Sequence, residues 1–464
     1  MPARPPLHVI VLAAGQGTRM RSDLPKVLHG LAGRPLLAHV TATARALDPV
    51  AVHVVHGHGG EQVRAMLSEP DLRWVEQASQ LGTGHAVAQA LPNVPDDAGV
   101  LVLYGDVPLV RPATLSALHG AAGSGVAILT TRLENPRGYG RIVRDDAGAV
   151  QRIVEEKDAH AGTRAITEVN TGMLAAPAGL LRNLLAGCDN RNAQEEYYLT
   201  DVVGLAVAQG SVVQAVVADD PEEVAGVNNR LQLAACERAY QLRQADALML
   251  AGVTLADPGR LDVRGELVCE ADVSIDVNCI FEGTVHVGAG SRVGPGCLLR
   301  DCIVARDVCI EAYSVIDGAR LEAGARVGPF ARLRPETVLG PGARAGNFVE
   351  LKKAEIGAGS KVNHLSYVGD AILGEQVNIG AGTITCNYDG VHKHRTRIGD
   401  GVFIGSDTQL VAPVTIGDAC MVAAGTTVTR DAEPDSLVIS RTEQTNLPGW
   451  SERRRRKSGD SENR

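Results

Sequence analysis

Aromatic residues make up only 3% of this 464-residue chain, and several other features are missing as well. No stretch contains the roughly 18 consecutive apolar residues of a membrane-spanning helix, so we predict no membrane association. The nine cysteines are scattered without a CxxC pair, which argues against a disulfide framework or a zinc site and favours thiols in a reducing cytoplasm. The formal net charge is −9, which argues against a general nucleic-acid-binding surface.

The first apolar run, LHVIVLAAG at residues 7–15, has some features of a signal peptide. It is short, contains His8 and leads into the polar, basic segment GQGTRMRSDLPK. These features favour a first buried strand over a secretory signal. We therefore expect a cytoplasmic protein.

Two halves of the chain have different periodicities. Residues 1–228 alternate short Val/Ile/Leu runs with helix-length segments, which predicts an α/β, Rossmann-like domain with a parallel sheet covered by helices on both faces. Residues 229–251 contain strong helix formers and predict a linker helix. The tail at 451–464 is highly charged, and we expect it to be disordered.

Residues 252–450 form a repeat region. Apolar residues recur every six positions in two runs, from Ile303 to Leu339 and from Ile398 to Val428, and aliphatic residues of the repeat region are often followed by Gly. This period fits neither a helix nor a two-sided sheet, and it predicts a parallel β-helix in which each in-phase residue points inward. The polar stretch NYDGVHKHRT interrupts the period and predicts a loop on one face.

The turn after the first strand, LAAGQGTRM, and the end of a later strand, VLVLYGD, attract attention because ligands of α/β folds bind where strands end. Gly15 and Gly17 would let backbone amides approach phosphate, and Arg19 would add charge. The pattern is neither a P-loop nor a complete dinucleotide fingerprint, so spacing alone leaves a purely structural turn open. Lys26 is either a phosphate ligand or a solvated side chain, whereas Asp106 is better explained by a ligand than as an ordinary strand-end residue.

In the repeat region, residues about 18 apart should stack on successive coils. Arg334 and Lys352 have this spacing and each follows an in-phase Leu, so they should share one face, either splayed into solvent or holding an anion such as a sugar phosphate. His364 is the best general-base candidate among thirteen histidines, with a structural histidine as the alternative. Cys386 has no base nearby in sequence, so direct transfer is preferred to an acyl-enzyme.

The motifs LAAGxGTRM, LPKVL, LGT, YGD, GYGR, IVEEK, VNTG, QEEYYLTD and GVNN closely resemble those of sugar-1-phosphate nucleotidyltransferases. With the repeats, nearly the whole chain resembles the bifunctional N-acetylglucosamine-1-phosphate uridyltransferase/glucosamine-1-phosphate N-acetyltransferase family of bacterial cell-wall precursor synthesis. The resemblance implies a left-handed β-helix and two reactions. Glucosamine 1-phosphate is acetylated from acetyl-CoA, and the product then takes a uridylyl group from UTP to give UDP-N-acetylglucosamine and pyrophosphate.

By this resemblance Asp106 and Asn228 hold a Mg²⁺ ion, and Gly140, Glu155 and Asn170 hold the N-acetylglucosamine. The full set implied for UTP or UDP-N-acetylglucosamine is Leu12, Ala13, Ala14, Gly15, Arg19, Lys26, Gln77, Gly82, Thr83, Tyr104, Gly105, Asp106, Gly140, Glu155, Asn170 and Asn228.

The resemblance also implies that His364 takes a proton from the amine while the amine attacks the thioester, and that Glu350 orients the site. Glucosamine 1-phosphate would contact Arg334, Lys352, Tyr367 and Asn378, and acetyl-CoA would contact Ala381, Asn387, Tyr388, Ser406, Ala424 and Arg441. A homotrimer with acetyl sites between chains is implied.

Two alternatives remain open. One is a sugar-1-phosphate nucleotidyltransferase of single activity whose β-helix is regulatory or a scaffold, against which the polar cluster around His364 argues. The other is a non-catalytic assembly subunit with the same two folds, which would not need Lys26, Asp106 and His364 together.

Overall fold

The computed structural model describes residues 5–15, 17–57 and 59–459, and the chain divides into two compact units. The first unit contains the residues up to Asp246 together with Val263–Gly265, and the second contains Ala247–Asp262 and the residues from Glu266 onward. Among the described residues, no helix combines the length and the apolar character needed to cross a membrane.

The elements of the first unit follow one another as strands and helices of ordinary length. The strands are β1 Leu7–Ala13, β2 Gly30–Leu31, β3 Arg34–Pro35, β4 Ala51–His56, β5 Leu72–Glu76, β6 Gly99–Tyr104, β7 Val126–Arg132, β8 Arg141–Arg144, β9 Val150–Val154, β10 Glu168–Pro177 and β11 Val213–Val217. The helices are α1 Leu36–Arg45, α2 Gly60–Met66, α3 Thr83–Ala90, α4 Pro112–Ala122, α5 Ala161–Arg164, α6 Ala178–Ala186, α7 Asp201–Ala208 and α8 Arg230–Leu250, with 3-10 turns at Thr18–Met20, Lys26–Leu28, Leu91–Asn93 and Pro221–Val224.

The main sheet has the strand order β11-β7-β10-β6-β1-β4-β5, with β8 and β9 attached beside β10. Strand β1 is parallel to β4 and β6, as the βαβ pattern predicts. Strand β10 runs antiparallel to both β6 and β7, so the sheet departs from the predicted parallel arrangement at this strand. The reason is the connection: β7 leads into the β8–β9 hairpin and the single-turn α5, and no long crossover helix returns the chain to the same direction.

Both faces of this sheet are covered, which explains why its strands are apolar throughout instead of alternating with polar residues. Val9 and Val11 of β1 pack with α1, α2 and α4 on one face. Ile10 and Leu12 pack with α3, α6 and α7 on the other. The sheet is therefore a rigid platform, and polar ligands can be met only beyond the ends of its strands.

The second unit is built almost entirely of short strands. They are β12 Thr254–Leu255, β13 Leu261–Cys269, β14 Ser274–Ile275, β15 Cys279–Val287, β16 Arg292–Val293, β17 Leu298–Arg300, β18 Ile303–Val304, β19 Cys309–Ile310, β20 Val315–Asp317, β21 Ala319–Leu321, β22 Arg326–Val327, β23 Arg332–Leu333, β24 Thr337–Leu339, β25 Arg344–Asn347, β26 Glu350–Ile356, β27 Lys361–His364, β28 Tyr367–Leu373, β29 Asn378–Ile379, β30 Ile384–Cys386, β31 Thr396–Ile398, β32 Phe403–Ile404, β33 Gln409–Val411, β34 Val414–Ile416, β35 Met421–Val422, β36 Thr427–Val428 and β37 Leu437–Val438. A 3-10 turn lies at Pro258–Arg260 and helix α9 at Trp450–Gly459.

These strands form parallel ladders along the sides of a β-helix. One side is the 11-stranded sheet from β12 to β37, and the long strands β15, β26 and β28 join the other two sides into a 15-stranded sheet. One coil takes 17 residues between Val293 and Ile310 and 18 between Val327 and Ala345. The predicted β-helix is therefore confirmed, with coils of slightly unequal length.

The predicted phase is wrong in the first part of the repeat region. The residues expected inside point outward, since Ile303 is 47% exposed and Val315 is 36% exposed. The interior is filled by the next residue of each side, namely Val304, Ile310 and Ile316. The following interior residue, Leu321, comes after a side of only five residues, and this short side shifts the phase by one. From Leu321 onward the predicted residues are buried.

The charged end of the chain contains a helix. Within the charged tail at 451–464, for which we predict disorder, helix α9 covers Trp450–Gly459, and 460–464 lie outside the described residues. Arg456 bonds Glu452 one turn earlier at 2.6 Å. The helix propensity of Arg and Glu and this ion pair both favour the helix.

Candidate active sites

A cavity of about 450 Å³ opens where β1 and β6 end in the first unit. Many of the residues implied for the nucleotide line it: Leu12, Ala13, Ala14, Gly15, Lys26, Gln77, Gly82, Thr83, Tyr104, Asp106 and Asn228. Sequence reasoning missed four further lining residues, Val27, Gln80, Ala86 and Glu196. Val27 and Glu196 lie inside recognised motifs, so a closer residue-by-residue comparison could have found them.

Glycine at two positions allows the cavity walls to approach each other. Gly17 has a φ of 63°, and a Cβ there would lie 2.6 Å from the Cβ of Lys26. Gly82 has a φ of 108°, and a Cβ there would lie 2.6 Å from the carbonyl oxygen of Tyr197. Any side chain at either position would therefore displace backbone or the first part of Lys26.

A cluster of charged and amide groups occupies one end of this cavity. Lys26 Nζ forms a close ion pair with Asp106 and donates a 3.1 Å hydrogen bond to Asn228 Oδ1. Arg19 does not line the cavity, but its Nη2 donates to the same Asn228 oxygen at 2.9 Å. The oxygens of Asp106 and Asn228 thus converge on one point, and the ammonium group of Lys26 lies there.

This convergence fits the implied magnesium ion. A carboxylate and an amide oxygen are hard donors, and Mg²⁺ commonly takes few protein ligands and completes its shell with phosphate and water. No group of three or more His, Cys, Asp or Glu residues suited to a metal occurs in the described part of the chain. An ion held by Asp106 and Asn228 would have room in its shell for phosphate and water oxygens.

Gly105 is outside the cavity lining and acts through the backbone. Its N–H donates to the carbonyl of Leu12 at 2.9 Å, which ties the end of β6 to β1. A Cβ at Gly105 would lie 3.1 Å from Leu37 Cδ1. This close packing fixes the position of Asp106.

A second cavity of about 290 Å³ adjoins the first and shares Thr83, Tyr104 and Glu196 with it. The three residues implied for the sugar, Gly140, Glu155 and Asn170, line it, and so do the residues Gly138, Tyr139, Thr171, Gly172, Gln194, Tyr198 and Thr200, which sequence reasoning left out of the site. Thr200 Oγ1 donates to Glu155 Oε1 at 3.1 Å. Burial raises the pKa of Glu155, with smaller contributions from Asp201 and Asp158. This mixture of amide, hydroxyl and carboxylate groups suits a hydroxyl-rich ligand.

In the second unit, Leu333 pairs in register with Leu351, so Arg334 and Lys352 follow one another on adjacent coils as their spacing predicts. Arg334 Nη1 donates to Glu350 Oε1 at 3.0 Å. The Lys352 ammonium lowers the pKa of Lys393, which the polar insert brings beside it. Cations concentrated in this way favour an anionic ligand.

His364 ends strand β27 and is exposed. Its Nδ1 lies 2.8 Å from Oδ1 of Asn347, its register neighbour on the preceding coil. Glu350, which the resemblance suggests as an orienting residue, bonds Arg334. Sequence reasoning missed Asn347, although its separation from His364 equals one coil.

The other residues implied for glucosamine 1-phosphate lie nearby. Tyr367 starts β28 and pairs in register with Glu350. Asn387 Nδ2 donates to the Tyr367 hydroxyl at 3.4 Å and forms a short bond with Asp370. Asn378 lies in β29, the strand that pairs with β27 in the same ladder.

Residues implied for acetyl-CoA follow one corner of the β-helix. The Ala381 carbonyl accepts from the Asp407 N–H at 2.7 Å, and the Ser406 carbonyl accepts from the Gly425 N–H at 2.8 Å. Ala424 precedes Gly425, and a Cβ on Gly425 would lie 3.8 Å from Arg441 Cδ. Tyr388 lies apart from this column, in the insert, where it is exposed and bridges to Lys393.

Together, the mixed α/β unit and the β-helix define a two-part transferase. Residues 9–194 match the MobA-like NTP transferase domain, and residues 395–430 match six repeats of the bacterial transferase hexapeptide. These matches agree with the left-handed β-helix that the resemblance implied.

Relatives match over almost the entire chain. A protein of Alkalilimnicola ehrlichii named bifunctional protein GlmU is 58% identical over 444 residues, covering 96% of each chain. Proteins of the same name are 55% identical in Marinobacter nauticus, covering 96% of this chain and 98% of the relative, and 54% identical in Aromatoleum aromaticum, covering 98% and 100%. The chain therefore belongs to the GlmU family of bifunctional proteins.

Proposed function

We propose that the chain catalyses two successive reactions, one in each unit. The second unit acetylates glucosamine 1-phosphate from acetyl-CoA, and the first converts the product and UTP into UDP-N-acetylglucosamine and pyrophosphate. The observation that carries the proposal is that Lys26, Asp106 and Asn228 line one cavity. The chain that contains this cavity matches relatives named bifunctional protein GlmU over almost its whole length. A cytoplasmic location fits the free cysteines of the described chain.

For uridylyl transfer, the phosphate of the sugar attacks the α-phosphorus of UTP, a new P–O bond forms and the bond to pyrophosphate breaks. Such transfers depend on alignment and charge neutralisation more than on covalent help from the protein. Lys26 and Arg19 would neutralise phosphate charge, and Glu155 and Asn170 would hold the sugar. A Mg²⁺ ion held by Asp106 and Asn228 would, when bound, supply further positive charge to the phosphates.

For acetyl transfer, the amine attacks the thioester carbonyl, a C–N bond forms and the thiol of coenzyme A leaves. The His364 imidazole would accept the amine proton. Arg334 and Lys352 would hold the sugar phosphate, whose charge they balance. The column from Ala381 to Arg441 would hold the coenzyme.

We propose the homotrimer that the resemblance implies, and a ladder of large apolar side chains exposed at one corner of the β-helix supports a subunit interface there. Tyr313 stacks on Phe330 at 5.3 Å between ring centroids, and Phe330 stacks on Phe348 at 5.4 Å. Leu365 stands at the next coil, 63% exposed and adjacent in sequence to His364. An exposed apolar row of this kind marks an interface, and a second copy of the chain covering it would lie beside the acetyl site.

Two separate assays test the proposal. The first measures pyrophosphate release from UTP with N-acetylglucosamine 1-phosphate, and the second measures coenzyme A release from acetyl-CoA with glucosamine 1-phosphate. Both should be positive with the purified chain. Pyrophosphate release without coenzyme A release would favour the alternative of a single-activity nucleotidyltransferase with a scaffold β-helix. No activity in either assay would favour a non-catalytic assembly subunit.

A further inference from the structure

We propose that Asn347 is a positioning residue for acetyl transfer, which fixes the tautomer of His364 by accepting a hydrogen bond from its Nδ1–H. This inference rests on the proposed function, because it assumes that the imidazole takes a proton from the amine. A base must present an unprotonated nitrogen, and in neutral histidine the partner of one ring nitrogen decides where the proton lies.

The contact is the only side-chain hydrogen bond of the His364 ring within the described chain, and it involves Nδ1 alone. Oδ1 of Asn347 lies 2.8 Å from Nδ1. With the amide oxygen facing the ring, the proton resides on Nδ1 and the lone pair of Nε2 is free to accept a proton. The reverse amide orientation would place an N–H against Nδ1 and leave the proton on Nε2, where the ring could not act as a base.

The backbone around the pair keeps the two side chains in register. Asn347 and His364 are partners in the β25–β27 ladder, and the Leu365 N–H donates to the Asn347 carbonyl at 3.1 Å. Ser366 Oγ donates to the His364 carbonyl at 2.8 Å. A Cβ at Gly346 would lie 2.0 Å from the Asn363 carbonyl oxygen, so only glycine permits the coils to approach this closely.

An amide suits this role better than a carboxylate would. Both groups accept a hydrogen bond from Nδ1–H, but a carboxylate would also stabilise the imidazolium ion and keep the base protonated to higher pH. Asn347 therefore sets the direction of the imidazole without adding charge. In this proposal Asn347 acts only through His364.

The first test measures the tautomer directly in the full-length wild-type chain labelled with ¹⁵N-histidine. Two-bond proton–nitrogen correlations distinguish the two neutral forms, and a His364→Gln variant assigns the signal. We expect the proton on Nδ1. A proton on Nε2, or the mixture of a free histidine, would overturn the proposal. This outcome does not depend on any activity, so it stays decisive even if the chain proves to lack acetyl transfer, a result that would count against the proposed function instead.

The second test compares Asn347→Ala and Asn347→Asp with the neighbouring control Asn363→Ala. We expect Asn347→Ala to lower the kcat of acetyl transfer about 10- to 100-fold with an unchanged KM for acetyl-CoA, since only proton acceptance is impaired. Asn347→Asp should recover most of the kcat at high pH and move the acidic limb of the pH profile upward. Asn363→Ala should behave as wild type, and uridylyl transfer should be unchanged in all three.

An Asn347→Ala variant with normal kcat, or with a change confined to KM, would contradict the proposal. So would a pH profile of Asn347→Asp that coincides with that of wild type. If Asn347→Ala fails to fold, as judged by thermal unfolding of the second unit, the Asn347→Asp profile and the wild-type tautomer decide the question between them.

Discussion

The ammonium group of Lys26 lies between two oxygen donors in the cavity at the ends of β1 and β6, paired with Asp106 and hydrogen-bonded to Asn228 at 3.1 Å. Lysine thus neutralises the same carboxylate that a metal ion would share with phosphate. The pair is only slightly exposed, at 15% for Lys26 and 14% for Asp106, so solvent screens it weakly. The Lys26 ammonium and a bound metal ion would therefore each neutralise part of the phosphate charge.

Replacing Lys26 by methionine tests how much of the phosphate charge the ammonium neutralises. We expect the kcat/KM of uridylyl transfer to fall roughly 10²- to 10³-fold, the usual effect of removing one charge-stabilising donor. Binding of Mn²⁺, used as a probe and measured by titration calorimetry, should be at least as tight as in wild type, because the competing ammonium is gone. Lys157→Met, at an exposed lysine of the same unit, serves as the control. Weaker Mn²⁺ binding in Lys26→Met would contradict this account.

The two activities should separate by mutation. We expect His364→Ala to lower acetyl transfer by roughly 10²- to 10⁴-fold and to spare uridylyl transfer, because the loss of a general base affects only its own step. Asp106→Asn should do the reverse. Measuring both releases on each variant checks this, and loss of both activities in a folded variant would refute the assignment of one site to each unit.

Acid should destabilise the first unit through a buried histidine pair. His8 Nδ1 lies 3.1 Å from His53 Nε2, and burial lowers the pKa of His53 from 6.5 to about 4. The folded state binds a proton at His53 more weakly than the unfolded state does. The free energy of unfolding is therefore undiminished by this residue above about pH 6.5 and falls as the pH decreases toward 4. The loss should be roughly 2–3 kcal/mol.

Urea unfolding at several pH values measures this effect. Trp74, which packs edge-on against His56, reports on the first unit when Trp450 is replaced by phenylalanine. His53→Gln should flatten the pH dependence, whereas His286→Gln, at an exposed histidine of the second unit, should leave it unchanged. An equally steep loss in His53→Gln would place the acid sensitivity elsewhere.

The aromatic ladder should control assembly. Phe330 is 49% exposed and stacks on both of its neighbours, so an aspartate there would place a charge in the centre of the proposed interface. We expect Phe330→Asp to weaken association by about 2 kcal/mol or more, roughly 30-fold, which sedimentation velocity would detect as a smaller species. Val50→Asp, at an apolar residue of the first unit with 59% exposure, is the matched control. An association constant for Phe330→Asp equal to that of wild type would exclude this corner as the interface.

Local patterns sufficed for much of the architecture. The six-residue period predicts a β-helix because every coil must repeat the same inward-facing position, and the register of Leu333 with Leu351 follows from that repetition. The period could not reveal that one side has five residues, so the phase before Leu321 was wrong. Similarly, apolar runs predicted the strands of the first unit, but the reversed direction of β10 depends on how its connection packs.

The sequence by itself determined the two folds, the family and most of the residues that line the cavity at the ends of β1 and β6, because motifs and periods are local features of the order of residues. Tertiary structure alone decided which side chains meet. Lys26 reaches Asp106 and Asn228 from positions far along the chain, and Asn347, rather than Glu350, contacts His364. Such contacts depend on the length of each coil and the direction of each strand. A coil that is one residue longer or shorter changes which side chains are neighbours on adjacent coils.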